Sequence, residues 1–146
     1  MKCLIVAHPD DEILWFNPEE YDQIIIVFLG RKDKPEQEAA RLQAIKEHPL
    51  ADRITCLGLT ESNFWRDKSQ TDHHNRNYRD LCKYLQDIKA ESVTTHNAAG
   101  EYEHADHILV HNACMATLNC PVNGKNPDIY RKAKAVYERN GCWTWY

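Results

Sequence analysis

Ala7-His8-Pro9-Asp10-Asp11-Glu12 sets one imidazole and three carboxylates directly behind an apolar stretch, Cys3-Leu4-Ile5-Val6-Ala7. That stretch reads as a buried strand, and open α/β sheets carry their chemistry at the carboxyl ends of strands. A second cluster, His104-Ala105-Asp106-His107, lies behind another β-like run, Ser92-Val93-Thr94-Thr95-His96. Together the two can build a catalytic zinc site, which takes three nitrogen or oxygen ligands and keeps a fourth position open. His8, Asp11 and His107 supply that set. His8 and Asp11 are three apart where a strand turns into a helix, so both can point back at one spot if Pro9 tightens the turn.

Asp10 projects differently and is assigned the proton transfer. A bound metal lowers the pKa of water from 15.7 to about 7, and a neighbouring carboxylate can take that proton and hand it to a leaving nitrogen. His104 and His107, three apart, can share a helix face, as can His107 and His111, four apart, so only some of them are ligands. His104 is given the task of stabilising a developing oxyanion, kept cationic by Asp106. Removing one such donor typically costs roughly 100- to 1,000-fold in rate.

Each cluster alone has an ordinary reading, as a helix-capping histidine pair or as an N-capping turn with surface acids. Their joint placement, each behind a strand and at one edge of one sheet, favours the site over coincidence. His48, His73 and His74 lack that setting and read as solvated or loop-packing residues. His96, at a strand end, stays open between the two.

The elements that must hold these residues follow a β-α-β rhythm. Residues 2–7 and 23–29 are apolar without alternation, as in parallel strands covered on both faces, and 53–59 and 92–96 are further strands. A helix opens at Pro35, with Ala39, Leu42 and Ile45 at helical spacing, and ends near His48-Pro49. Residues 61–77 read as a long loop over the site. A helix spans 78–88 with Leu81, Leu85 and Ile88 inward, and another runs from Ala105 to Leu118 with Ile108, Leu109, Ala113 and Met115 or Ala116 for the core. A last helix, 128–140, has Ile129, Ala133, Val136 and Tyr137 on one face and Gly141 as its cap. The expectation is an α/β, Rossmann-like, mostly parallel sheet flanked by helices, in one domain spanning 1–146.

Several classes are disfavoured. A net charge of -4, with Lys and Arg scattered among acids, leaves no basic stripe for nucleic acid. The longest apolar run, Ile24 to Leu29, is strand length, far short of the roughly 20 residues of a membrane span. No signal-peptide pattern follows Met1-Lys2, so a cytoplasmic protein is expected. The six cysteines form no CxxC pair and read mostly as buried thiols of a reducing compartment.

At the two clusters the chain resembles the LmbE-like, or PIG-L, N-acetylglucosaminyl deacetylase family. The family's AHPDDE hallmark is complete at residues 7–12, and its TH segment with a loop ending GEYGHPDH is similar to Thr95-His96-Asn97-Ala98-Ala99-Gly100-Glu101-Tyr102-Glu103-His104-Ala105-Asp106-His107. The resemblance implies a Rossmann-like fold and hydrolysis of an N-acyl group, commonly the acetyl of a glucosamine unit, with zinc as the metal and ferrous iron as its alternative. It puts the metal on His8, Asp11 and His107, the base on Asp10, and the electrostatic partner on His104 with Asp106 behind it. It adds Tyr102 as a tyrosine able to swing over the site and hydrogen-bond the tetrahedral intermediate.

Two departures carry expectations. Ile13-Leu14-Trp15-Phe16-Asn17-Pro18 replaces the family's Gly-Gly helix start, so the first helix must be very short. Glu103 and Ala105 replace Gly and Pro of GHPDH, and Glu103 is expected to add bulk and charge beside the metal. Arg31, at the end of the second strand, sits where a family arginine or polar group often meets substrate. With Arg66, Arg76 and Arg79 it is available to an anionic conjugate, although surface charge is the ordinary reading of each.

The resulting reading is a zinc amidase acting on a small-molecule N-acyl amino sugar. Its alternatives are an amidase for a non-sugar N-acyl metabolite and a shortened relative that binds sugar without turnover. A phosphoacceptor receiver is a rival of another class, but Ile54-Thr55-Cys56-Leu57-Gly58-Leu59 ends without the acceptor aspartate. The metal site requires the rings of residues 8 and 107 within about 6 Å of each other.

Overall fold

The computed structural model describes residues 1–124 and 127–142. Strands β1 (Lys2–Val6), β2 (Gln23–Arg31), β3 (Ile54–Glu61), β4 (Ser92–Thr95) and β5 (Val122–Gly124) form one all-parallel sheet in the order β3-β2-β1-β4-β5. The apolar runs of β1 and β2 are buried on both faces, which is why they show no alternation. The order is Rossmann-like, and chain progression reverses between β1 and β4. A crevice therefore opens outside the carboxyl ends of those two neighbours.

Helices α1 (Asp11–Leu14), α2 (Gln37–Glu47), α3 (Thr71–Leu85), α4 (Gly100–Glu103), α5 (Ala105–Thr117) and α6 (Pro127–Arg139) are joined by short 3-10 turns at Pro18–Glu20, Ala51–Arg53 and Lys68–Gln70. On one face of the sheet Cys3, Ile5, Ala7, Ile25, Val27 and Val93 pack against Leu81 and Leu85 of α3 and Leu109, Val110, Ala113 and Cys114 of α5. On the other, Leu4, Val6, Ile24 and Ile26 meet only partly buried partners, among them Phe16, Tyr21, Ile45 and Leu50. Full burial of one such side chain contributes about 1.5–3 kcal/mol, so the first face carries most of the hydrophobic stabilisation. A register shift against β3 between Ile26 and Phe28 turns Phe28 onto that first face, where its ring lies 5.8 Å from that of His8.

The structure corrects several expectations. Residues 61–77 are not one loop: β3 runs to Glu61, and α3 begins at Thr71 behind a 3-10 turn at Lys68–Gln70 capped by Asp67. Only 62–67 are irregular, because the first turns of α3 are polar and hide their helical period. In α5, Met115 and Ala116 are exposed, and Val110 and Cys114 take the core positions. In α2, Ala39 and Leu42 are exposed and Ile45 alone of the three packs inward. In α6, Ala133, Val136 and Tyr137 are exposed, and the side chain of Ile129 lies outside the described residues. Gly141 is the expected cap: at φ 68 it lets its own amide reach Glu138 O at 3.0 Å and that of Cys142 reach Tyr137 O at 2.9 Å. The three-residue strand β5 had no periodic signal. No helix among the described residues is long and apolar enough to cross a membrane.

Candidate metal centre and active site

Beyond Val6 the chain turns so tightly that Asp10 adopts a left-handed backbone, φ 101. The turn is held from both sides, the Asp11 amide donating to His8 O at 3.1 Å and the His8 amide to Asp11 Oδ2 at 2.8 Å. Asp11, in the first turn of the four-residue α1, thereby has its carboxylate folded back onto His8. Beyond β4, Glu101 takes φ 62, ψ -67, a strained γ-turn conformation, and Glu103 takes φ 68. His104 then caps α5 by accepting the Asp106 amide on Nδ1 at 3.1 Å, which places His107 in the first turn, fully buried. Because β1 and β4 are paired, both clusters arrive at one edge of the sheet.

The rings of His8 and His107 are 5.3 Å apart between centroids, inside the required limit. One oxygen, Asp11 Oδ2, lies 3.1 Å from His8 Nδ1 and 3.2 Å from His107 Nε2. Donors bound at about 2.0–2.1 Å around a tetrahedral ion stand about 3.4 Å apart, so this spacing fits a single cation. Neither ring nitrogen of buried His107 makes a hydrogen bond, an arrangement costing about 1–3 kcal/mol that a ligated cation would relieve.

Electrostatics point the same way. Burial pushes the His107 ring down and so favours its neutral form, the ligating state. Burial would push Asp11 up, but the imidazoles packed against it, cationic His8 at 3.1 Å above all, outweigh this and hold the carboxyl well below its usual range. Burial would also lower His8. Hydrogen bonds to Asp106 and Asp11, the charge of Asp11 and the contact with Glu61 reverse this and hold its pKa well above the ordinary value. The negative field that favours a proton there is a field suited to a divalent cation.

Two other groups of three could offer ligands: His8, His104 and Asp106, or His96, Glu101 and His107. The second is spoken for. His96 Nε2 accepts the Ala7 amide at 2.9 Å, so its proton sits on Nδ1 and is donated to Glu101 Oε1 at 2.6 Å. In the first, Asp106 Oδ2 takes the Nε2 proton of His8 at 3.0 Å, a hydrogen bond that fixes the ring and leaves its other nitrogen available to a cation. That leaves His8 Nδ1 facing Asp11 and His107.

The expectation that Asp106 keeps His104 cationic is overturned. As helix cap, His104 spends Nδ1 on the Asp106 amide, while the Asp106 carboxylate turns to His8 and lies 3.9 Å from His74 Nδ1. Burial, reinforced by the charge of His8, pushes the His104 pKa far down. The ring is neutral and carries its proton on Nε2, still a donor. It belongs to a column of four rings, Trp65, His104, His107 and His96, at successive centroid separations of 4.4, 4.8 and 3.9 Å and interplanar angles of 21°, 17° and 14°.

Asp10 and Tyr102 border the same pocket, together with Trp15, Arg31, Asp33, Arg41, Glu61, Trp65 and Arg66. Asp10 stands at its open edge. Partial desolvation, then the charge of Asp11, pushes its carboxyl up to about 6. The Tyr102 ring lies edge-on to His107 at 5.5 Å and to His104 at 5.7 Å, with Trp15 and Trp65 beside it. Burial, then Asp11, raises its hydroxyl pKa further, so the group remains a proton donor.

Glu103 corrects another expectation. It is exposed and lines a separate depression with Phe64, Tyr78 and Ile108, away from His8, Asp11 and His107. Arg31 and Arg66 border the pocket, while Arg76 and Arg79 are exposed on α3 and are not among its lining residues. Three contributors were missed. Glu61, 3.3 Å from His8 Nε2, is pushed up by burial but pulled down to about 2 by His8 and Arg41. Reading β3 to its true end would have placed it at the sheet edge, opposite Arg31. His74 stacks on Phe64 at 4.5 Å behind Asp106. Glu101, which binds His96, left no signal.

No curated protein matches the chain. The model of one family does, PIG-L, described as GlcNAc-PI de-N-acetylase, over residues 3–118. The matched segment runs from β1 past the end of α5 and so contains both clusters, the turn that folds Asp11 onto His8 and the cap that buries His107. With the two signatures meeting across paired strands, this chain belongs to the PIG-L, GlcNAc-PI de-N-acetylase, family.

Proposed function

We propose that the protein is a metal-dependent N-deacetylase that hydrolyses the N-acyl group of a small amino-sugar conjugate, with zinc or ferrous iron held by His8, Asp11 and His107. The observation that carries the reading is His107: fully buried, without a hydrogen-bond partner on either ring nitrogen, and 3.2 Å from the same Asp11 oxygen that faces His8. A bound divalent ion would supply Lewis acidity, polarising the amide carbonyl and making water acidic enough to attack near neutral pH.

The chain's own residues supply the rest. Asp10, pushed up to about 6, takes a proton from the attacking water as its oxygen bonds to the acyl carbon. The carbonyl oxygen, gaining charge, receives the Nε2 proton of neutral His104 and the Tyr102 hydroxyl as hydrogen-bond donors. Asp10 returns its proton to the nitrogen as the C–N bond breaks, giving a carboxylic acid and a free amine. Trp15, Trp65 and Tyr102 form the apolar part of the wall and limit bulk water.

The test is metal analysis of the purified chain together with amine release from a panel of N-acyl amino sugars and N-acyl amino acids. Asp10→Ala should keep the metal and lose about 100- to 10,000-fold in turnover, whereas His107→Ala should lose the metal. Stoichiometric metal without release from any sugar amide, or full activity in Asp10→Ala, would defeat the reading.

A further inference from the structure

We infer that His48 is a positioning residue for Asp10: acting through Glu12, it holds the left-handed turn that aims the Asp10 carboxylate into the pocket. What Asp10 does there rests on the deacetylase reading; how it is held rests on the contacts of three chain segments. In the sequence His48 reads as a solvated or loop-packing residue. In the structure it closes α2, partly buried, with its ring toward the turn behind β1.

Asp10 needs such a support. It stands exposed, so little packing fixes its side chain, and its backbone lies at φ 101, ψ -25. A residue other than glycine keeps that conformation only where its surroundings impose it. Here both of its backbone groups are held. The carbonyl accepts the amides of Ile13 and Leu14 at 3.1 and 3.0 Å, and the amide donates to Glu12 Oε2 at 2.9 Å.

Glu12 is buried, where a carboxylate is tolerated only if donors meet its oxygens. Its second oxygen, Oε1, lies 3.3 Å from His48 Nε2. The Leu50 amide sets the state of that ring by donating to Nδ1 at 2.9 Å, which puts the ring proton on Nε2, the nitrogen facing Glu12. The segment around His48 is anchored in turn, Ile45 and Leu50 packing on the face of the sheet formed by Leu4, Val6, Ile24 and Ile26. His48 thus ties that face to the Asp10 amide through one carboxylate. Asp11 is folded onto His8 by its own pair of hydrogen bonds and does not depend on this tie.

Two variants separate the contacts of the ring. His48→Asn keeps an acceptor for the Leu50 amide but is too short to reach Glu12, whereas His48→Gln reaches Glu12 with its NH2 and gives up the Leu50 amide. Metal-loaded proteins should be assayed on the N-acyl substrate that the parent turns over fastest. His48→Asn is expected to lose about tenfold or more in kcat with KM within about twofold, since misplacing a reacting group by about 1 Å costs up to about 100-fold. His48→Gln should stay within about threefold of the parent. Glu12→Gln can meet only one of its two donors, the Asp10 amide or the His48 ring, and should share the fall in kcat. Zinc affinity, read by chelator competition, should agree within about threefold across all four proteins. In the metal-free chain, the Asp10 amide should exchange its hydrogen about tenfold faster in His48→Asn than in the parent or His48→Gln, as NMR would show.

A histidine that served stability alone would make turnover follow Tm in both variants. Parent-like kcat in His48→Asn or in Glu12→Gln, equal losses in His48→Asn and His48→Gln, or Asp10 exchange that is the same in all would overturn the inference. A parent that releases no amine from any substrate would remove the deacetylase reading, and unequal exchange at Asp10 would then sustain the His48 support by itself.

Discussion

Removing the Glu101 carboxylate tests how His107, a ligand of the proposed metal site, is held. Glu101 is buried; its carboxylate accepts His96 Nδ1–H at 2.6 Å and the Asn97 amide at 3.4 Å, while its own amide donates to Asn97 Oδ1 at 3.0 Å. His96 in turn stacks on His107 at 3.9 Å. Glu101→Ala deletes a charge-assisted hydrogen bond worth about 1.5–3 kcal/mol and strands a buried imidazole N–H at a further cost of about 1–3 kcal/mol. The expected loss is roughly 3–5 kcal/mol, the range for breaking a buried charged pair, or about 10–15 °C in Tm for a chain of this size. Glu101→Gln keeps one oxygen for His96 but turns an NH2 toward the Asn97 amide, and should cost about 1–2 kcal/mol. Melting in the presence of a chelator isolates this structural loss. Competition against a chromophoric zinc chelator reads the second effect, a 10- to 100-fold weaker metal affinity as His107 loses its braced neighbour. If Glu101→Ala melts within about 2 °C of the parent and binds zinc equally well, the brace argument is wrong.

Three further outcomes follow from the same geometry. Zinc at 100 times its Kd should stabilise the fold by about 2.7 kcal/mol, raising Tm, and a chelator should reverse the shift; an unchanged Tm would deny that folding assembles the site. Glu103, at φ 68 and exposed, occupies a conformation that suits glycine, so Glu103→Gly should be neutral or stabilise by up to about 1 kcal/mol in a denaturant titration. Burial pushes the thiols of Cys3 and Cys114 up to about 12, so below that pH they stay protonated. Iodoacetamide at pH 8 should therefore label exposed Cys142 and spare Cys3 and Cys114 until the chain unfolds, as peptide mass mapping would show.

What could be read from the residues, and what could not, has a physical pattern. β1 and β2 were legible because strands buried on both faces leave unbroken apolar runs, and the meeting of His8, Asp11 and His107 because their clusters follow paired strands, His107 on the helix that comes after β4. Glu61 was hidden because β3 is only partly buried and contains Gly58 at φ 73, so its apolar run fades before the strand does. His74 was hidden by helical turns whose inward residues, including buried Asn77, are polar. The partner of Asp106 was misjudged because adjacency in sequence says nothing of which capping atom is already used: His104 Nδ1 takes the amide, and the carboxylate goes to a residue on the other side of the crevice. Glu101 and Asp10 take left-handed backbones without glycine, which no pattern of side-chain types announces.

The unequal covering of the sheet divides the pocket into a stiff side and a yielding one. His107, Asp106 and His104 ride on α5, which shares the thick core with α3, whereas Arg41 rides on α2, which has no fully buried residue. Elements holding few buried apolar groups open at a small fraction of the global free energy, so amide hydrogen exchange in α2 should run ahead of that in α5. The Arg41 side of the pocket can then give way and re-close, at little energetic cost, while His107, Asp106 and His104 stay in register.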